Sequence, residues 1–232
     1  MKTIGLLGGM SWESTVPYYQ IINRAVNDRL GGLHSARILL WSVDFADIEV
    51  LQHRGDWSAA GQILAGAACN LERAGADLLV LCTNTMHKVA STIEAAITRP
   101  LLHIADPTAH AIRQAGVARV GLLGTAFTME QAFYRDRLAS RHGIEVLVPD
   151  AGERAVVHRI IYDELCLGQI HKASREAYRR IMHNLIKRGA QGIILGCTEI
   201  SLLVKAEDAS VPLFDTTELH ALAAADAALA HG

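Results

Sequence analysis

Read on its own, the 232-residue sequence predicts an α/β protein of two similar parallel-sheet domains, related by pseudo-two-fold symmetry, with a ligand cleft between them. Three observations predict it. Short apolar runs alternate with longer segments of helical period, the pattern of parallel strands joined by crossover helices. Three segments of the first half recur in the same order in the second half. Two of the recurring strands end on a cysteine followed by threonine, at the carboxyl edge where parallel sheets bind ligands.

Taken in order, Thr3 to Leu7 reads as the first strand. A helix follows from about Ser14 to Leu30, with Pro17 tolerable only near its first turn and Gly31-Gly32 closing it. ARILLWSV (36–43) is the second strand. Residues 56–75 form a helix with apolar positions at Ile63, Ala67 and Leu71, and ADLLVLC (76–82) is the third strand. Thr85 to Ile97 is helical, and PLLHIAD (100–106) is the fourth strand.

The pattern then restarts. RVGLLGT (119–125) repeats TIGLLGG (3–9), AQGIILGCTE (190–199) repeats ADLLVLCTN (76–84), and VPLFDTTELH (211–220) repeats RPLLHIADPTAH (99–110). Val120 follows Ile4 by 116 residues, Cys197 follows Cys82 by 115, and Pro212 follows Pro100 by 112. One match carries little weight, but three in order at a nearly constant offset imply a duplicated domain. The period is far too long for a solenoid.

Bulk composition narrows the function. Half the residues are apolar, a fifth are charged, and the net charge is −2. That is ordinary globular composition, with no basic stripe for nucleic acid and no charged anchor for a membrane surface. Aromatic residues are 5% of the chain, which disfavours a base-stacking platform. The apolar stretch near the N-terminus, Ile4 to Leu7, is too short for a signal peptide, and no run reaches the length of a membrane span. A cytoplasmic protein is expected. Cys69, Cys82, Cys166 and Cys197 are then thiols, and none lies in a CxxC pair or zinc-spaced cluster.

Two domains facing each other would put Cys82 and Cys197 on opposite walls of one cleft. Each thiol precedes a helical segment, whose free N–H groups and partial positive charge favour a thiolate. Those N–H groups, with Thr83, Thr85, Thr198 and Asn84, suit a carboxylate. Two thiols flanking a small anion suit inversion of a carbon acid: one removes the α-proton and the other delivers a proton to the opposite face. No motif demands a metal, pyridoxal phosphate or a nucleotide.

LVLCTNTMHK (79–88), IILGCTEISLL (193–203) and GLLGGMSWEST (5–15) resemble the signatures of the aspartate/glutamate racemase superfamily, in particular its aspartate-racemase and broad-specificity branch. The likeness spans essentially the whole chain. It implies a cofactor-independent amino-acid racemase with Cys82 and Cys197 as the catalytic pair. It places Met10, Gln52, Thr83, Asn84, Thr85, Thr125 and Thr198 around the substrate, with Glu199 polarising Cys197 or arranging its loop. It further implies a homodimer and a last helix that crosses back to the first domain, so that residues 1–102 and 208–232 form one domain and 103–207 the other. Glutamate racemases typically carry an acidic residue where this chain has Gly8-Gly9-Met10, and a histidine where it has Glu199. These departures point away from the glutamate-specific branch. Sister reactions of the superfamily are hydantoin racemisation, maleate isomerisation and malonate decarboxylation; the decarboxylases generally keep only one of the two cysteines.

Plainer readings cover the other conspicuous residues. Cys69 and Cys166 read as core thiols, with a place near the cleft left open for Cys166, in DELCLGQ. GLLGGM lacks the spacing of a nucleotide loop and reads as a tight turn. His87 reads as a packing histidine and Lys88 as solvent-facing. Arg24, Arg54, Arg119 and Arg135 are candidates for a substrate's side-chain carboxylate, while Trp12 and Trp57 suit a lid, an interface or burial. A non-catalytic amino-acid-binding protein is the alternative outside enzymes, but binding alone does not require a thiol on each wall.

Overall fold

The computed structural model describes residues 1–230. It divides into two compact units, Met1–Ile104 together with the chain from His220 onward, and Ala105–Leu219.

In the first unit the strands are β1 (Ile4–Gly8), β2 (Ile38–Ser42), β3 (Leu78–Leu81) and β4 (Leu101–Leu102). Between them run α1 (Trp12–Leu30), α2 (Phe45–Arg54), α3 (Trp57–Arg73) and α4 (Ala90–Ala96). The sheet is parallel throughout, in the order β2-β1-β3-β4. Parallel neighbours need a crossover, which the helices supply on both faces. The central strands alternate accordingly. Leu7, Leu79 and Leu81 pack with Ile48, Leu64 and Leu71 on one face. Ile4, Leu6, Leu78, Val80 and Cys82 pack on the other against Tyr18, Ile22 and Val26 of α1. Each such aliphatic side chain, taken out of water, contributes roughly 1.5–3 kcal/mol.

The second unit contains α5 (Ala105–Gln114), β5 (Arg119–Gly124), α6 (Ala126–Glu130), α7 (Ala132–His142), β6 (Glu145–Leu147), α8 (Ala151–Asp163), α9 (Lys172–Lys187), β7 (Ile193–Gly196), α10 (Ile200–Leu203) and β8 (Leu213–Asp215). Its sheet is again parallel, in the order β6-β5-β7-β8. The two sheets therefore share one topology, and the three recurring sequence segments fall on equivalent strands: β1 and β5, β3 and β7, β4 and β8. The chain leaves the second unit within α11 (Thr216–Leu229), whose Ala221, Ala224, Ala225 and Ala228 pack in the first unit's core. Spacing of three and four residues puts these small side chains on one stripe, so the helix can approach closely. The return comes at His220 rather than near 208, because β8 pairs with β7.

Several local expectations shift. Residues 100–106 contribute a strand of only two residues, because α5 already starts at Ala105. Pro107 fits there, since the first turn of a helix needs no N–H from it. Helix α2 had no expectation at all; it is capped by the Asp44 side chain accepting from the Ala46 N–H. On α3 the buried face is Ala60, Leu64, Ala67, Ala68 and Leu71, so Ile63 lies off it and is exposed. Residues Thr85–Val89 form a 3-10 turn before α4 rather than a helical start. No helix among the described residues is long and apolar enough to cross a membrane.

Candidate active site

In the first unit the candidate residues converge on the carboxyl edge of β1 and β3. These strands are in register up to Leu7 and Leu81, and the Cys82 N–H donates to Leu7 O at 2.9 Å. The loops that follow therefore start side by side. After β1 the chain turns at Gly9, with φ of 92° and its N–H donating to Thr15 Oγ1 at 2.9 Å. A Cβ at Gly9 would lie 2.3 Å from Val43 O, so only glycine lets this loop pass under the end of β2. Met10 follows and is buried. After β3 come Cys82, Thr83, Asn84 and Thr85, all buried. Gln52, buried on α2, donates from Nε2 to Met86 Sδ at 2.9 Å, which ties α2 to the same loop.

His87 is a buried strut for that loop. Its Nδ1 lies 2.7 Å from Thr83 O, and its Nε2 accepts from the Ile104 N–H at 3.1 Å. Accepting at Nε2 leaves the proton on Nδ1, which donates to Thr83 O. One imidazole thus links the residue after Cys82 to the chain after β4. A second relay lies nearby: Tyr18 Oη is 2.9 Å from His220 Nδ1, and His220 Nε2 is 2.8 Å from Leu102 O. The packing reading of His87 fits this geometry. Lys88 departs from expectation. Its ammonium sits 4.1 Å from the centre of the Trp57 ring, and partial burial lowers its pKa.

In the second unit the equivalent edge gathers Thr125, Cys197, Thr198 and Glu199. Gly124 of β5 and Gly196 of β7 are register partners, so the residues after them emerge together. A Cβ on Gly196 would fall 2.9 Å from Leu123 O, so a side chain there would push the two strand ends apart. Thr125 caps α6, its Oγ1 accepting from the Thr128 N–H at 3.3 Å. Cys197 donates from Sγ to Glu199 Oε2 at 2.9 Å, and Thr198 Oγ1 donates to the same oxygen at 2.8 Å. The Glu199 carboxylate is 2% exposed, which makes these donors necessary to its burial. Sequence reasoning did not place Cys166 beside this carboxylate. It comes from the 3-10 turn Leu165–Leu167 after α8, with its Sγ 3.7 Å from Glu199 Oε1. Cys166 is half-buried rather than core, and so is Cys69, whose Sγ donates to Ala96 O at 3.1 Å. No spacing rule connects residue 166 to residue 199; only the fold does.

The electrostatics overturn the expectation of ready-made thiolates. Burial pushes the Cys82 thiol well above its ordinary range, and its Sγ meets Val80 O at 3.7 Å. Cys197 is also raised, first by burial, then by the Glu199 charge, by Cys166 only where that thiol itself ionises, and by the hydrogen bond to Glu199. The Glu199 N–H opposes this, as a helix-start donor should, but does not prevail. After Cys82 the chain enters a 3-10 turn that leads into α4, so its first N–H groups lack α-helical alignment, and after Cys197 the helix has only four residues. All four cysteines are thiols.

Of the candidate arginines, Arg24 and Arg54 are exposed. Arg119 lies at the amino end of β5, away from Thr125, and pairs with Glu145 at 2.7 Å. Arg135 donates to Glu130 O at 3.1 Å. Among the described residues no group of three or more His, Cys, Asp and Glu side chains is placed to hold a metal.

The family model "Asp/Glu/Hydantoin racemase" matches residues 7–224. The chain belongs to that racemase family. It is therefore an enzyme of the isomerase class, and its fold of two α/β domains is the family's. Among similar proteins, the broad specificity amino-acid racemase RacX of Bacillus subtilis (strain 168) is 26% identical over 92% of each chain. A provisionally named Asp/Glu racemase of Yersinia pestis is 63% identical, with a TM-score of 0.92 over 99% of this chain and 100% of that one. An aspartate racemase homologue from Pyrococcus horikoshii OT3 is 35% identical, with a TM-score of 0.84 over 98% of this chain and 99% of that one. Within the racemase fold, both cysteines of this chain end the second central strand of their unit, and both are followed by threonine.

Proposed function

We propose that this racemase acts on free amino acids, aspartate and glutamate or a broader set, by two-thiol proton transfer at Cα without a cofactor. The observation that carries the reading is the duplicated Cys-Thr pair, Cys82-Thr83 and Cys197-Thr198, at equivalent strand ends of two units with one topology. One thiolate takes the α-proton, the carbanion is held as an enediolate by donors around the carboxylate, and the opposite thiol returns a proton to the other face. Reversal exchanges the two sulfurs' roles. Met10, Gln52, Thr83, Asn84, Thr85, Thr125 and Thr198 line the substrate in this reading, and the backbone N–H groups of the post-strand loops meet the carboxylate.

The buried thiols need a means of ionising. Glu199, 2.9 Å from Cys197 Sγ, is placed to take that proton. The substrate's α-ammonium brings a positive charge toward the sulfurs, which favours thiolate. Cys82, with a backbone carbonyl as its polar contact, is the better resting proton donor. We further infer a cytoplasmic homodimer, on the family resemblance.

The test is circular dichroism of the purified protein with L- and D-amino acids, without added cofactor. Loss of optical rotation from both enantiomers, with deuterium from solvent appearing at Cα, is the expected result. Cys82→Ser and Cys197→Ser should each abolish racemisation while retaining exchange on one face. Binding without exchange in the wild-type protein would instead make this a binding protein.

A further inference from the structure

We propose that Cys166 is a positioning residue for Glu199, and through it sets how readily Cys197 gives up its proton. This rests on the two-thiol reading, since it concerns the same sulfur. The Glu199 carboxylate is nearly sealed from water, and its two oxygens are met from different elements. Oε2 accepts from Cys197 and Thr198 of the loop after β7, at 2.9 and 2.8 Å. Oε1 is reached at 3.7 Å by Cys166 from the turn after α8, some thirty residues earlier in the chain. The Cys166 thiol itself is raised, chiefly by burial and then by Glu199, so it is present as S–H and serves as a donor.

A carboxylate held at both oxygens keeps its plane and its distance to Cys197. A donor on Oε1 also draws charge away from Oε2, which weakens Glu199's grip on the Cys197 proton. Other titratable groups share the surroundings. The Tyr178 hydroxyl of α9 feels Cys197, Glu164, Glu199 and Cys166, with burial as its main influence, and donates to Val157 O at 3.4 Å. Glu164 of the same turn is occupied by Ser174 and Arg159. Its place in the turn is defined by the Gly168 N–H to Leu165 O and Gln169 N–H to Glu164 O bonds, at 3.0 and 2.9 Å. Cys166 is thus carried by a bonded turn rather than a free strand of chain.

The experiment reads Cys197 directly. Tryptic peptides separate Cys82, Cys166 and Cys197, so the rate of iodoacetamide addition at Cys197 can be followed by mass spectrometry against pH, with no substrate present. In Cys166→Ala the alkylation limb should move to higher pH, with Cys197 reacting about three- to tenfold more slowly at a fixed pH on the limb. Cys166→Ser, which keeps a donor, should restore the wild-type profile. In a Glu199→Gln background, Cys166→Ala should have no further effect. Racemisation by Cys166→Ala should show a lower kcat with little change in KM. An unmoved limb in Cys166→Ala, a Cys166→Ser profile matching Cys166→Ala, or an undiminished effect in the Glu199→Gln background overturns the assignment; so does a Cys197 that never reacts. If the wild-type protein racemises no amino acid but the limb behaves as expected, the substrate reading fails and the Cys166 assignment stands.

Discussion

Replacing Glu199 by glutamine is the sharpest perturbation the structure offers, because it removes a charge without removing volume. Cys197 Sγ and Glu199 Oε2 are 2.9 Å apart and both residues are buried. A thiolate and a carboxylate at that separation repel by about 6 kcal/mol at an effective dielectric constant of about 20. Relaxation and the opposing Glu199 N–H reduce the net effect. Even a quarter of that repulsion favours the thiolate by about tenfold once the charge is gone. The sign follows from the cause. Glu199 holds Cys197 as a thiol, so its removal raises the thiolate fraction at a given pH and moves the alkylation limb to lower pH. Burial remains, so Cys197 should still titrate above an ordinary thiol. Racemisation should nevertheless slow by about a hundredfold or more, because the proton acceptor beside the sulfur is gone. Iodoacetamide kinetics at Cys197, run beside circular dichroism of turnover, measure both. A limb that stays put or rises, or turnover that keeps its wild-type rate, would refute the account of Glu199.

Three further outcomes follow from the local geometry. Gly9→Ala should cost about 2–4 kcal/mol by urea unfolding, since its φ of 92° and the 2.3 Å approach to Val43 O both resist a side chain; a loss below about 0.5 kcal/mol contradicts this. His87→Ala should cost about 2–4 kcal/mol and speed hydrogen exchange at the Ile104 amide, because a buried donor and a buried acceptor lose their partners together; slow exchange at Ile104 in the variant counts against the strut. Asp106 is raised by burial but lowered more by Arg137, bonded at 2.7 and 2.6 Å, and by His142, so its net pKa is depressed. That contribution is complete above the unfolded carboxyl value of about 3.9 and fades as pH falls through the lower folded value. The stability gap between wild type and Asp106→Asn should therefore shrink as pH falls below about 4; a gap that widens over that acid range contradicts the sign.

The sequence alone determined the α/β class, the duplication and the two strand-end cysteines, because these are written in local patterns. Apolar runs of four or five residues at β1, β3, β5 and β7 can only be buried strands once repeats fix their equivalence, and a cysteine immediately after such a run must sit at the strand's carboxyl edge. The tertiary structure decided what no local pattern carries. It shortened β4 to two residues, since α5 could begin at Ala105. It turned His87 into a bridge between Thr83 and Ile104. It brought Cys166 to the carboxylate of Glu199, and through burial it set both thiols above their ordinary range. Hydrophobic period and turn chemistry act between near neighbours, whereas desolvation and charge pairing depend on which distant residues the fold packs together.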